Sequence, residues 1–115
     1  MKKIYHLSTC STNQRILKEL SLEGFVLQDI KNTPITEEQL DGLKTLAGSY
    51  EVLFSKRAQL YKQNGLKDKA LTENDFKNLI LEHYTFLKRP VIVVGSKIFI
   101  GNSKKVIEQA KEVIN

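Results

Sequence analysis

The period of hydrophobic and polar positions changes repeatedly along this chain, and each change marks an element. Ile4-Tyr5-His6-Leu7 is a short apolar-rich run that reads as a buried strand, and Ile16, Leu17 and Leu20 follow at helical spacing. Gly24 is expected to stop that helix, before Phe25-Val26-Leu27-Gln28-Asp29-Ile30 forms a second strand. Strand, helix and strand in about 30 residues make a βαβ unit, with parallel strands and a right-handed crossover. Thr36 and Gln39 have the spacing of a capping box, and open a helix whose face is Leu40, Leu43 and Leu46 and which ends near Gly48. Between Tyr50 and Gly65, Val52, Leu53, Phe54, Leu60 and Tyr61 fit short helices better than strands, with Ser55-Lys56-Arg57 as a cationic turn. Thr72 caps a further helix that buries Phe76, Leu79, Ile80 and Tyr84, with Glu73 and Asp75 suited to its first turn.

Arg89-Pro90 precedes two β-rich runs, Val91-Ile92-Val93-Val94 and Lys97-Ile98-Phe99-Ile100. The Gly95-Ser96 pair between them predicts a hairpin with a type II′ turn. Pro90 fits either as the first strand residue or as a cis proline turning the chain into the sheet. Asn102 or Ser103 caps a last helix with Val106, Ile107, Ala110, Val113 and Ile114 on one face. The order βαβ, helices, β-hairpin, helix is the thioredoxin topology. The expectation is therefore one α/β, thioredoxin-like domain over residues 1–115, with a four-stranded mixed sheet and a helical insertion at about 36–86.

Composition narrows the chemistry. At 115 residues, 41% hydrophobic and 27% charged, the chain can bury a core without disulfides or a structural metal. Two histidines and one cysteine, widely spaced, give no zinc set, so no bound metal or cofactor is expected. The net charge of +5 favours an anionic partner, but the lysines are scattered and no motif points to direct nucleic-acid binding. Met1-Lys2-Lys3 leads at once into a strand without the apolar stretch of a signal peptide, and no run approaches a membrane span. The cytoplasm is the expected setting.

The single cysteine, Cys10, falls at the first strand-to-helix turn. Helix N–H groups without intrahelical partners, and the positive end of the helix dipole, stabilise a thiolate there. Ser11 and Thr12 add hydroxyls able to donate to sulfur or to a bound anion. A lone cysteine is also commonly a small buried apolar residue, and the residues alone leave both readings open. The topology sets Arg89-Pro90 opposite Cys10, which favours the reactive one. Any thiol redox cycle would need a second thiol from outside the chain.

Several segments together resemble the arsenate reductase (ArsC)/Spx family over nearly the whole chain. They are Tyr5-His6 followed by Cys10 and Thr12; Leu53-Phe54-Ser55-Lys56-Arg57 with Tyr61 and Gly65-Leu66; Phe86-Leu87-Lys88-Arg89-Pro90-Val91-Ile92-Val93; and Gly101-Asn102-Ser103. The resemblance implies that Cys10 is the nucleophile of a glutathione- and glutaredoxin-dependent reductase, which attacks arsenate and is released from its arsenic(V) adduct by an external thiol. It also implies that Arg89 binds the oxyanion, that His6 and Thr12 support the cysteine loop, and that Pro90 is cis. Ser55 stands where arsenate-reducing members carry an arginine, and Gly101 where another would be, while Arg57 matches the Spx-like and uncharacterised members. Arg15 lies one residue further from the cysteine than the family's usual basic residue. The anion received by Arg89, Arg57 and Arg15 is thus arsenate, a related small oxyanion or the carboxylates of glutathione. A glutaredoxin-type protein is the implied partner. The Spx-like side of the resemblance implies a different role, a non-catalytic regulator that binds the RNA polymerase α-subunit. Asn13 occupies the second position of the Spx Cys-x-x-Cys pair, which excludes an intramolecular redox switch.

Overall fold

A computed structural model describes residues 1–115. In chain order the elements are β1 (Lys2–His6), α1 (Ser11–Glu19), β2 (Val26–Asp29), α2 (Glu37–Ala47), α3 (Tyr50–Leu53), α4 (Gln59–Gln63), α5 (Glu73–Glu82), β3 (Val91–Val94), β4 (Lys97–Ile100) and α6 (Lys104–Ile114). Single 3-10 turns lie at Leu66–Asp68 and Tyr84–Phe86. The chain forms two compact units: a sheet unit of Met1–Thr33 with Arg89–Asn115, and a helical unit of Pro34–Lys88.

In the sheet unit the strands are ordered β2-β1-β3-β4. β1 and β2 run parallel, with Ile4 beside Leu27, as the βαβ pattern requires. β1–β3 and β3–β4 are antiparallel, so β4 runs in the direction of β1. Gly95 at φ +61 makes the hairpin turn while Ser96 stays outside the left-handed region, the pattern of a type II′ turn. Ile4 and Ile92 on the sheet pack with Ile16, Leu17 and Leu20 from the first helical stretch and with Ile107 and Ala110 of α6. Burying each large apolar side chain in such a cluster contributes roughly 1.5–3 kcal/mol.

In the helical unit, Thr36 accepts from the Gln39 N–H and the Gln39 side chain accepts from the Thr36 N–H, both at 3.1 Å, which closes the start of α2. Gly48, at φ 100, ends that helix in the left-handed conformation. The Glu73 carboxylate, at the start of α5, accepts from the N–H groups of Tyr50 (2.7 Å) and Glu51 (3.1 Å) and so caps α3 as well. Phe54 is the hub of the interior, its ring meeting those of Tyr61, Phe76 and Phe86 at 5.7, 4.9 and 5.3 Å between centroids. Lys77 bridges Glu37 (2.8 Å) and Asp41 (3.1 Å), and the Tyr50 hydroxyl donates to Asp41 at 2.6 Å.

Four local expectations are corrected. α1 stops at Glu19 rather than at Gly24, because Leu20 turns extended and the end is closed from the far terminus. There the Asn115 amide donates to the Glu19 carbonyl (3.2 Å) and accepts from the Ser21 N–H (3.0 Å). Gly24, at φ +80, instead shapes the turn in which the Phe25 N–H donates to the Leu22 carbonyl at 2.9 Å. Leu46 and Val113 are exposed at 36% and 38%. Each lies two three-residue steps along its helix from a buried residue, Leu40 or Ile107, and those steps carry it about 120° round the axis. Tyr84 falls outside α5, in a 3-10 turn, with its ring stacked on His83 at 4.6 Å. Of the two cap candidates for α6 it is Ser103 that serves, accepting from the Val106 N–H at 3.2 Å.

Candidate functional site

The carboxyl ends of β1, β2 and β4 and the start of β3 lie along one edge of the sheet, where open α/β sheets usually meet ligands. The chain leaves β1 there and enters α1 through Leu7–Cys10. Cys10 is the N-cap residue, partly buried, in extended conformation (φ −95, ψ 115), and its carbonyl accepts the first helical bond, from the Gln14 N–H at 3.1 Å. Its sulfur makes no capping bond to the helix, so the first-turn N–H groups face outward from an N-cap that does not occupy them. Ser11 is exposed and Thr12 partly buried, in the first turn of α1.

The turn is held from two directions. Asn13, fully buried, accepts from the Leu7 N–H at 3.0 Å, and its amide nitrogen lies 3.5 Å from the Cys10 sulfur. Asp29, at the end of β2, accepts from the Ser8 hydroxyl and backbone N–H, and also from the Lys31 N–H (3.2 Å) and the Asn32 side chain (2.9 Å). The Ser8 hydroxyl above all holds the Asp29 carboxyl below the usual range, against the smaller opposing effect of burial. His6 stands opposite Asp29 in the register. It is only 8% exposed, and its Nδ1 is buried without a hydrogen-bond partner. Burial pushes its pKa down, with Asp29 pulling weakly the other way.

The antiparallel register of β1 with β3 runs to Tyr5 opposite Val91, so Arg89-Pro90, which directly precede Val91, lie at the sheet edge where β1 ends. The Arg89–Pro90 peptide is cis, and the Pro90 carbonyl accepts from the Gly101 N–H at 2.9 Å. Pro90 is buried and Arg89 partly buried. The start of α6, with Lys104 and Lys105 in its first turn and no acidic residue there, follows directly from Gly101. The sheet edge thus gathers His6, Cys10, Ser11, Thr12, Arg89 and Pro90 within one unit. Arg15 is exposed and acts electrostatically on Glu19 and Lys111, toward the end of α1 distant from Cys10. Arg57 belongs to the helical unit, exposed in the turn between α3 and α4.

The sequence reading missed the parts played by Asn13, Ser8 and Asp29. Asn13 carried one signal, a poor helix former placed three residues after the cysteine inside a helical pattern. Asp29 carried none, since only strand pairing brings it to Ser8.

Comparison with known proteins bears on the family and the fold. The arsenate reductase of Acidiphilium multivorum is 25% identical over 93 residues, covering 78% of this chain and 66% of the relative's own length. The uncharacterized protein YfgD of Escherichia coli K12 is 29% identical over 117 residues, covering 97% of this chain and 95% of YfgD. Among solved structures, an arsenate reductase from Vibrio cholerae superposes with a TM-score of 0.75 at 26% identity, covering 98% of this chain and 97% of that one. The fold is accordingly thioredoxin-like α/β with a four-stranded mixed sheet. The sequence model of the ArsC family matches residues 5–110, from within β1 through the cysteine turn and the Arg89-Pro90 strand entry into α6, and the chain belongs to the ArsC family.

Proposed function

We propose that the protein is a single-cysteine thiol oxidoreductase of the ArsC type, reducing arsenate or a related small oxyanion through an adduct on Cys10. The observation that carries this reading is the placement of Cys10: a partly exposed N-cap residue whose sulfur leaves the first-turn N–H groups of α1 unoccupied, on the sheet edge that also receives Arg89-Pro90. The free N–H groups and the positive end of the helix favour both a thiolate and an incoming oxyanion. Arg89 supplies a planar guanidinium suited to two oxyanion oxygens. Ser11 and Thr12 contribute hydroxyls, and His6 and Pro90 shape the loop.

In this reaction the Cys10 thiolate displaces one arsenate oxygen, which leaves as water after protonation. An external thiol then supplies the second sulfur: arsenic(V) becomes arsenic(III), and the two sulfurs, each one electron poorer, end in a disulfide. Since the chain has one cysteine, that disulfide joins Cys10 to the external thiol, for which glutathione is the natural donor and a glutaredoxin the natural means of release. The test is arsenate-dependent oxidation of glutathione in the presence of glutaredoxin. Wild type is expected to turn over and Cys10→Ser to be inactive, and turnover surviving in Cys10→Ser would overturn the mechanism.

A further inference from the structure

We infer that Asn13 is the positioning residue of the cysteine, its side-chain amide fixing the Leu7–Cys10 turn with one end and donating to the nucleophilic sulfur with the other. The inference rests on the reading of Cys10 as nucleophile and specifies what prepares it. A backbone N–H can only donate, so the Asn13 atom 3.0 Å from the Leu7 nitrogen is the carbonyl oxygen. That choice leaves the NH2 group facing the Cys10 sulfur at 3.5 Å, and a flipped amide would set two donors against each other at Leu7.

The energetic asymmetry points the same way. A neutral thiol sulfur is a weak acceptor, whereas a thiolate is a charged one, so the bond strengthens when Cys10 loses its proton and favours the reactive form. The sulfur takes no donor from the backbone of its own helix, so the side-chain amide fills that role. An asparagine within a helix costs stability, and burying an amide completely costs more unless both ends are bonded. At Asn13, 0% exposed, both ends are bonded to the turn it follows.

The experiment is the rate of Cys10 alkylation by iodoacetamide across pH, on full-length wild type, Asn13→Asp and Asn13→Ala, with thermal unfolding as control. Asn13→Asp keeps the acceptor for Leu7 and replaces the donor with a carboxylate oxygen. Both variants are expected to alkylate about tenfold more slowly at neutral pH. For Asn13→Asp the deficit should narrow at acid pH, where the introduced carboxyl is protonated and can donate, a signature that a purely structural residue would not give. Folded variants that alkylate at the wild-type rate throughout would overturn the inference. If the buried charge unfolds Asn13→Asp, the rate in Asn13→Ala decides, and unfolding of both would assign Asn13 a structural role instead. The readout needs no turnover. Slowed alkylation in a protein that reduces no oxyanion would remove the reductase reading and leave the role of Asn13 standing, while normal alkylation in an active reductase would do the reverse.

Discussion

The helices α2, α3 and α5 of the helical unit begin with Thr36, Ser49 and Thr72, each side chain accepting from a first-turn N–H, with Glu37 and Glu38, Glu51, and Glu73 and Asp75 in the first turns. In the sheet unit α1 begins with Cys10, which makes no side-chain cap, and has no acidic residue in its first turn. α6 is capped by Ser103 but opens with Lys104-Lys105 at the positive end of its dipole. The five-residue α4, entered from Ala58, is the uncapped helix of the helical unit. Charge follows the same division. The acidic and basic side chains of Pro34–Lys88 cancel, and the net charge of +5 resides wholly in the sheet unit. Apart from the short α4, helix N-termini are closed in the helical unit, and left open or cationic along the edge that carries the cysteine. Local rules are commonly broken in this way at sites reserved for a ligand.

Four substitutions put that contrast under strain, the largest effect first. Arg89→Lys keeps the charge but loses the planar fork, and is expected to lower kcat/KM for the oxyanion about ten- to hundredfold with little change in Tm. An equal loss of stability would make Arg89 a structural residue and weaken the division. Thr36→Ala removes one half of a capping box in the helical unit, and should cost about 1 kcal/mol in chemical denaturation. Cys10 alkylation should stay at the wild-type rate, and a slower one would show that the two units do not separate as stability and function.

The third test concerns pH. Burial holds the folded-state pKa of His6 below its ordinary value, so over that interval the unfolded chain binds more protons than the folded one. The contribution of a neutral His6 is therefore complete above about pH 6.5 and is lost as pH falls toward the folded-state value. Wild type should show a lower Tm at pH 5 than at pH 7, and His6→Gln a flatter profile; parallel profiles would remove His6 as the cause. The smallest effect is that of Lys104→Glu. Relieving the charge at the start of α6 should raise Tm by on the order of 1–2 °C while weakening the affinity for an oxyanion. A rise in both would mean that the cationic first turn serves no ligand.

Much of this was legible in the chain itself. The capping box at Thr36 and Gln39, the cap at Thr72, the individual strands and helix of the βαβ unit, the hairpin turn and the position of Cys10 are each marked by residues close together in the chain, so spacing alone reveals them. The end of α1 was not, because its cap is Asn115, more than 90 residues away. The exposure of Leu46 and Val113 was misjudged because two steps of three leave the buried face of a helix, whichever leucine or valine is found there.

At the site the division is the same. The sequence by itself determined where the one sulfur atom of a cysteine falls, that no second thiol of the chain accompanies it, and that a helix begins there, because composition and local backbone preference decide all three. Only the tertiary structure decided what surrounds that atom. The pairing of β1 with β2 brings Asp29 to Ser8, the register with β3 sets Arg89-Pro90 at the sheet edge where β1 ends, and the packing of α1 against the sheet buries Asn13. Strand pairing and burial join residues that are remote in sequence, and no short-range pattern records which remote partner a polar group will meet.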